Sequence, residues 1–452
     1  MAGLPEFTGV GDTQVTVNDL TQNNVTFFDG LEPSPDYIVS RHTIHIPPSS
    51  DIDYDFAPLQ FEIRNAGQHF VDFSTNRLMG TFKIVKADGT NLDGNDDVAI
   101  INNFPHALWD SIDVTVDGVL QVPLSTARYG HKAYFEQLFS YNKYCEGHTK
   151  PLSLWYYDTA GKYDTCGNEN KGYKHRKELI ATSRECSFNV PLLIDFFSLN
   201  RLFPDCKSIV ISLSRKRPEF FLMCADDTKQ YKLKFLKLKL KIDKVALHPK
   251  LLQATELKLL SNNMVFPFDK CKILEFSIKQ NQTLVDFNEI INGQIPKYFL
   301  MAMTKTSSMT GNYKENPWNF ATNKLTKLYC KINGHIFPSY PYEFNFAPTA
   351  PNPPDCLDAF AALYDELGIN RAAKEHYVDM DQFIGGAFIV PFSFCPDMCF
   401  GRNYHAPTVG QVSVHMQFST GLTEAHSLLL FAVYDDEFQI DAARQITFPH
   451  GA

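Results

Sequence analysis

No apolar run in these 452 residues approaches the roughly 18 needed to cross a bilayer as a helix. The opening Met1-Ala-Gly-Leu-Pro-Glu6 has neither the basic n-region nor the apolar h-region of a secretory leader, so a soluble chain, intracellular when made, is the expectation. Positive charge is scarce: 42 Lys and Arg stand against 51 Asp and Glu, a formal net charge of −9. That balance argues against a general nucleic-acid binder, whose phosphate contacts need excess cations. The sequence has no Gly-x-Ser-x-Gly and no His-Glu-x-x-His, and its 14 His are scattered. Gly167-Asn-Glu-Asn-Lys-Gly172 is followed by Tyr173, which leaves no Lys where a P-loop needs one.

Metal motifs are equally thin. Cys395-Pro-Asp-Met-Cys399 has the wrong spacing for a zinc knuckle and no second pair nearby, so the ten Cys read as free thiols, mostly small core residues. Asp51, Asp53, Asp55 and Glu62 imitate positions 1, 3, 5 and 12 of a calcium loop, but Phe56 stands where the sharp turn needs Gly. Asn24-Val-Thr and Asn281-Gln-Thr match the glycosylation pattern only by chance if the chain is not secreted. No catalytic, cofactor-binding or metal-binding residue is expected.

Globular character is plain, with 44% hydrophobic and 21% charged residues. Phe at 37 and Tyr at 20 favour pleated surfaces, and 26 Pro with 24 Gly punctuate many turns. The length suits two or three cores. The halves then match in order. Phe61-Glu-Ile63 recurs as Phe276-Ser-Ile278 and Val71-Asp-Phe73 as Val285-Asp-Phe287, with Leu78 to Lys86 facing Ile295 to Met303. Asn103 to Gly118 aligns without a gap on Asn319 to Gly334, each alternating into an Asp-Gly or Asn-Gly hairpin turn. A short helix follows in each half: His131 to Phe139, and Asp355 to Leu367 with Leu357, Phe360, Ala361 and Tyr364 on one face and Gly368 as its stop. Phe188-Asn-Val-Pro191 recurs as Phe388-Ile-Val-Pro391, and closing strands pair Ser208 to Ser214 with Val412 to Phe418, and Tyr231 to Val245 with Leu428 to Ile440. The expected fold is all-β: two tandem eight-stranded jelly rolls with one short helix in each. The expected division is an acidic N-terminal segment at 1–36, a first jelly roll at 37–248 and a second at 249–452, joined near His248-Pro249.

At these residues the sequence resembles the major capsid proteins of Polinton (Maverick) elements and adintoviruses, in the double-jelly-roll lineage of virophage capsids and adenovirus hexon. The stretches that carry the resemblance are Asn102 to Gly118, Tyr134-Phe-Glu-Gln-Leu-Phe-Ser140, Tyr157-Asp-Thr-Ala-Gly161, Gly293-Gln-Ile-Pro296 and Asn316-Pro-Trp-Asn-Phe320. The resemblance implies a homotrimeric capsomer tiling an icosahedral virion shell with penton and minor capsid partners, no enzymatic activity and no cofactor. Three two-sandwich subunits would give six similar units around one axis. A two-jelly-roll amidase or glycosidase is the alternative and would need converging carboxylates; a carbohydrate-binding module is a third.

Other features admit two readings. Tyr231 to Lys244 holds six Lys and one Asp, and its apolar parity switches at Phe235-Leu236, as a β-bulge would cause. It reads as a solvated or protected edge, or as a contact with genome or an acidic neighbour. Residues 1–36 carry six acids and no Lys or Arg, which weighs against a genome-binding arm; they read as a poorly ordered tail or as a docking or clamp segment beneath the capsomer. Tyr141 to Arg184 is expected to be a long loop reaching neighbours or the outer surface. His106 and His131 are expected to be structural, and Trp109, Trp155 and Trp318 to fill core or interface pockets.

Overall fold

A computed structural model describes residues 37–52, 57–64, 69–94, 96–140, 146–199, 201–204, 208–347, 355–367, 378–395 and 408–449. The proposed tail at 1–36, most of the Asp51 to Asp55 acids, Gly368 and the Pro-Asp-Met-Cys399 stretch lie outside them.

Among the described residues, sixteen principal strands form two sandwiches, and two-residue strands at Phe203–Pro204 and Ile446–Thr447 extend one sheet of each. The first half contributes β1 (Ile38–Ile46), β2 (Leu59–Ile63), β3 (His69–Lys86), β4 (Trp109–Val116), β5 (Val119–Leu120), β6 (Cys186–Val190), β7 (Ile209–Arg215) and β8 (Tyr231–Leu247). The second contributes β9 (Met264–Ile278), β10 (Leu284–Gln294), β11 (Tyr298–Lys305), β12 (Leu325–Ile332), β13 (His335–Glu343), β14 (Ile389–Ser393), β15 (Val409–Phe418) and β16 (His426–Ile440). The first half pairs as β1-β8-β3-β6 and β2-β7-β4-β5; the second repeats that order as β9-β16-β11-β14 and β10-β15-β12-β13. This is the jelly-roll order, twice.

Local chemistry explains the pattern. Asp117-Gly118 and Asn333-Gly334 all have positive φ, which sets up the tight turns between β4 and β5 and between β12 and β13. Alternation then points Ile112, Val114 and Val116 inward in one copy and Leu328 and Cys330 in the other. The repeat matches at Leu78 to Lys86, Asn103 to Gly118, Phe188 to Pro191 and both closing strands fall on equivalent strands. Two do not. Phe61 to Ile63 lies in β2 whereas Phe276 to Ile278 ends β9, and Val71 to Phe73 begins β3 whereas Val285 to Phe287 begins β10. Period-2 tripeptides look alike on any half-buried strand, so these two identities carried no register information.

Helices exceed the expected one per half. The first has α1 (Tyr129–Ser140), α2 (Glu146–Ser153) and α3 (Lys171–Ile180), so much of the predicted 141–184 loop is helical. A connector, α4 (Pro249–Leu259), has Pro at its first turn and starts two residues after β8 ends. The second half has α5 (Leu357–Asp365) and α6 (Met380–Gly385). On α5 the expected face is rotated: Ala359, Ala362 and Leu363 are buried, while Leu357 is 50% exposed. The helix packs on β14, and that contact selects its face.

The parity switch in β8 is a bulge. Phe235 pairs with Phe82 and Lys237 with Thr81, so Leu236 is the extra residue. Before it Tyr231, Leu233 and Phe235 face the core; after it Leu238 and Leu240 do, and Phe235 stacks on Trp109 with ring centres 6.3 Å apart. Deleting Leu236 therefore restores plain alternation. We expect that deletion to keep the fold, within about 2 kcal/mol by urea denaturation, whereas deleting Lys239 turns Leu240 outward and Lys241 inward and should abolish cooperative unfolding.

Candidate functional site

The most distinctive chemistry lies where the two sandwiches meet. Helix α1 follows the first hairpin and wedges between them. Its Tyr134 ring is stacked between Trp155 and Trp318, at 5.2 and 4.4 Å, and Phe135 stacks on Phe320 at 5.4 Å. Trp318 donates its indole N–H to the carbonyl of Asn102 at 2.9 Å. Positions 102 and 318 each stand one residue before the ungapped repeat, so the two copies touch at matching points. Trp155 and Trp318 are thus joint residues, while Trp109 belongs to the first core.

Residues 154–183 form a strap across the joint rather than an outer loop. Gly161 N–H donates to the carbonyl of Gly385 at 2.6 Å, and the Gln382 amide donates to the carbonyl of Asp158 at 3.0 Å. Asp158 is the knot. Its carboxylate accepts from Arg176 at 2.6 Å, Asn170 at 2.8 Å and Asn316 at 3.1 Å, and the Arg176 and Asp158 side chains are 0% and 1% exposed. Arg176 also donates to the carbonyls of Ile100 and Tyr156. The glycine-rich motif now has a structural reason. Asn170 caps α3, accepting from Tyr173 N–H, and a Cβ on Gly172 would sit 2.3 Å from the Tyr157 carbonyl oxygen.

Titratable clusters serve this joint. Lys132, 2% exposed, lies 2.5 Å from Glu136 and 3.0 Å from Asp195, and Asp195 also accepts from Cys271 N–H across the joint. Glu136, Asp195 and Cys271 come within 4.8 Å of one another. They border a cavity of about 540 Å³. The Lys132 ammonium already stands where a cation would. Burial works against its charge, but Asp195 and Glu136 outweigh that and hold its pKa well above the usual value. Burial also pushes the Cys271 thiol well up, which makes it a poor ligand. The two carboxylates are bound to one lysine, which fills the space a glycosidic bond would need between an acid and a base. Elsewhere burial, with the neighbouring Asp365 charge, raises Glu366 to about 7 although its carboxyl accepts from Ser393 N–H.

The two histidines singled out by sequence lie inside the joint. His106 shares a 2.8 Å hydrogen bond with the Tyr129 hydroxyl, and burial with Lys132 nearby lowers its pKa to about 3. His131 has neither ring nitrogen hydrogen-bonded and packs edge-on against Trp318 and Phe220. Burial, Lys216 and Arg128 keep it neutral. Sequence reasoning gave no individual role to Asp158, Arg176, Lys132 or Asp195. Nothing in their local pattern marks a buried charge; only the contact across the joint does.

Outer edges carry the remaining signal. Val119 and Leu120 of β5, with Val122 after it, are exposed, as are Ile336 and Tyr340 of the equivalent edge strand β13. Leu120 and Ile336 are matching positions of the repeat. Exposed apolar residues on sheet edges mark places where another chain can sit.

Two outcomes test the joint. Asp158→Ala leaves Arg176 buried without its carboxylate and should cost about 3–5 kcal/mol in urea denaturation, while adding Arg176→Met to it should recover part of the loss. His131 is neutral in the folded chain, and above its unfolded pKa near 6.5 both states are neutral. Below that pH only the unfolded chain takes up the proton, so stability falls with acid by at most about 1.4 kcal/mol per pH unit. His131→Phe should flatten the slope of melting temperature between pH 6.5 and 5; an unchanged slope would contradict the burial argument.

No protein-family model matches the chain, and no curated protein matches it in sequence. Solved structures of viral capsid proteins are similar in fold. The Sputnik virophage structure determined by cryo-EM superposes with a TM-score of 0.59 at 11% identity, covering 98% of this chain and 94% of that one. The Faustovirus major capsid protein gives 0.58 at 9% identity over 93% and 94%, and the mavirus major capsid protein 0.52 at 12% over 99% and 96%. Both sandwiches take part in these superpositions, and the chain has a double-jelly-roll fold.

Proposed function

We propose that this chain is the major capsid protein of a DNA virus or virus-like element, assembling as a homotrimer whose copies tile an icosahedral shell. The observation that carries the reading is the same eight-strand order built twice and locked on one core. A trimer of such chains places six similar sandwiches around a threefold axis, and that outline packs in a sheet. The fold likeness to viral capsid proteins supports it, as do the matching apolar edges at Leu120 and Ile336.

Within this reading the units are 37–248 and 249–452, with 1–36 as an acidic appendage. The Polinton and adintovirus subtype rests on the stretches Asn102 to Gly118 and Asn316 to Phe320. Penton and minor capsid proteins would be its partners and the virion its place, and its work is contact chemistry rather than catalysis. Light scattering of the purified chain should give three times 51.4 kDa, about 154 kDa, and electron microscopy should show particles of hexagonal outline. A monomer at micromolar concentration would sink the proposal.

A further inference from the structure

The two copies of the jelly roll treat one sheet face in opposite ways. In the second half, strand β16 is buried on both sides from His426 to Asp436. Its outward side chains meet the first half: Phe431 packs on Phe135 of α1, with ring centres 5.6 Å apart, and on the adjacent β9 Glu275 accepts from Arg128 at 2.6 Å. In the first half the equivalent face is bare and basic. The pairs Leu78 with Val190 and Met301 with Val390 are equivalent through the Phe188 to Pro191 repeat. Since Leu78 also pairs with Leu240 and Met301 with Leu430, position 240 matches 430. Lys239 and Lys241 therefore stand where the second half has Leu429 and Phe431.

Lys232, Lys234, Lys237 and Lys239 are exposed, and Lys241 is half-buried. Lys234 lies directly opposite Lys83, and Lys241 opposite Arg77. Like charges directly across a ladder repel. Among the described residues these five lysines make no ion pair, on a chain whose net charge is −9. Protection of an open edge would account for lysines on β8 at 231–239, which β1 leaves unpaired. It does not account for Lys241, which is paired with β1 on one side and β3 on the other and stands opposite Arg77. Such a face is built to receive negative charge.

We propose that the acidic face of helix α5 of a second copy of this chain covers it. Within one chain, the helix after the first hairpin already covers this face of the second sandwich. Helix α5 follows the second hairpin, and applying the same relation once more sets it on the lysine face of the next subunit. Its exposed side suits that place: Asp358, Ala361 and Asp365 face outward beside Leu357. Acid meets lysine, and Leu357 supplies an apolar centre where Phe135 does in the internal contact. This deepens the capsomer reading and rests on it.

A charge swap in the full-length chain tests the contact. The variant Lys234→Glu, Lys237→Glu and Lys239→Glu should lower trimer yield about tenfold at fixed concentration, the effect of losing a few exposed pairs. Adding Asp358→Lys and Asp365→Lys should restore it, and carbodiimide treatment of the native chain should join Asp358 or Asp365 to these lysines in covalent dimers and trimers. The lysines are exposed, so circular dichroism should be unchanged; should that variant fail to fold, Asp358→Lys with Asp365→Lys alone must weaken the trimer equally. Stable trimers with no such cross-link and no rescue would overturn the inference and leave the capsomer intact. Cross-links to the acids of residues 1–36, or salt-sensitive binding of duplex DNA lost in the lysine variant, would overturn it in favour of another occupant. Absence of any trimer would instead remove the capsomer reading beneath it.

Discussion

The Trp155–Tyr134–Trp318 stack fixes how one sandwich lies on the other, and every surface the molecule offers follows from that. Each ring buries roughly 150–250 Å², so at about 25 cal/mol per Å² the stack holds the joint by several kcal/mol. Because α1 is spent on covering the outer face of the second β9-β16-β11-β14 sheet, that face is no longer available to any partner. The matching face of the first sandwich remains open. A different joint would exchange the two.

Apolar stacking resists separation but tolerates sliding, whereas the buried charges beside it do not. A strap shifted by one residue would carry the Asp158 carboxylate away from Asn316 and part Gly161 from Gly385, leaving buried polar groups unpaired at about 1–3 kcal/mol each. Lys132 binds Glu136 on its own helix and Asp195, and both carboxylates accept from Cys271 of β9, so the ammonium couples α1 to the second sandwich. Such networks add little net stability beyond what apolar residues would give. Their effect is to penalise wrong arrangements of the two sandwiches.

Much of this was legible in the sequence, and the rest was hidden for definable reasons. The strands, the two hairpins and the duplication followed from the Asp-Gly and Asn-Gly turns and from ungapped alternation, because turn chemistry and period 2 are local properties; the order of strands in each sheet is not local and came only with the structure. The bulge at Leu236 was readable for the same reason: parity is written residue by residue. The α5 face was misread because Leu357 and Tyr364 are apolar, yet β14 selects the side that has Ala359, Ala362 and Leu363. Asp158 and Arg176 were invisible because a buried ion pair depends on what packs over it, and the strap that buries it was read as a loop. The fold was therefore legible in its repeat, while the joint was not.

Duplication followed by divergence also explains why one sheet face is apolar and its twin basic. Phe431 can be apolar because α1 of the same chain covers it, and Leu429 beside it is buried too. Lys241 and Lys239 occupy matching positions with no cover in the isolated chain. Had they stayed apolar, every newly made subunit would display a wide sheet face next to an unpaired strand edge, the combination that drives edge-to-edge aggregation. Charge keeps that face wetted until a complementary face arrives. It also makes the contact weaker than the internal one and sensitive to salt. In the proposed shell that difference would let contacts formed in the wrong place come apart while the subunit itself stays whole.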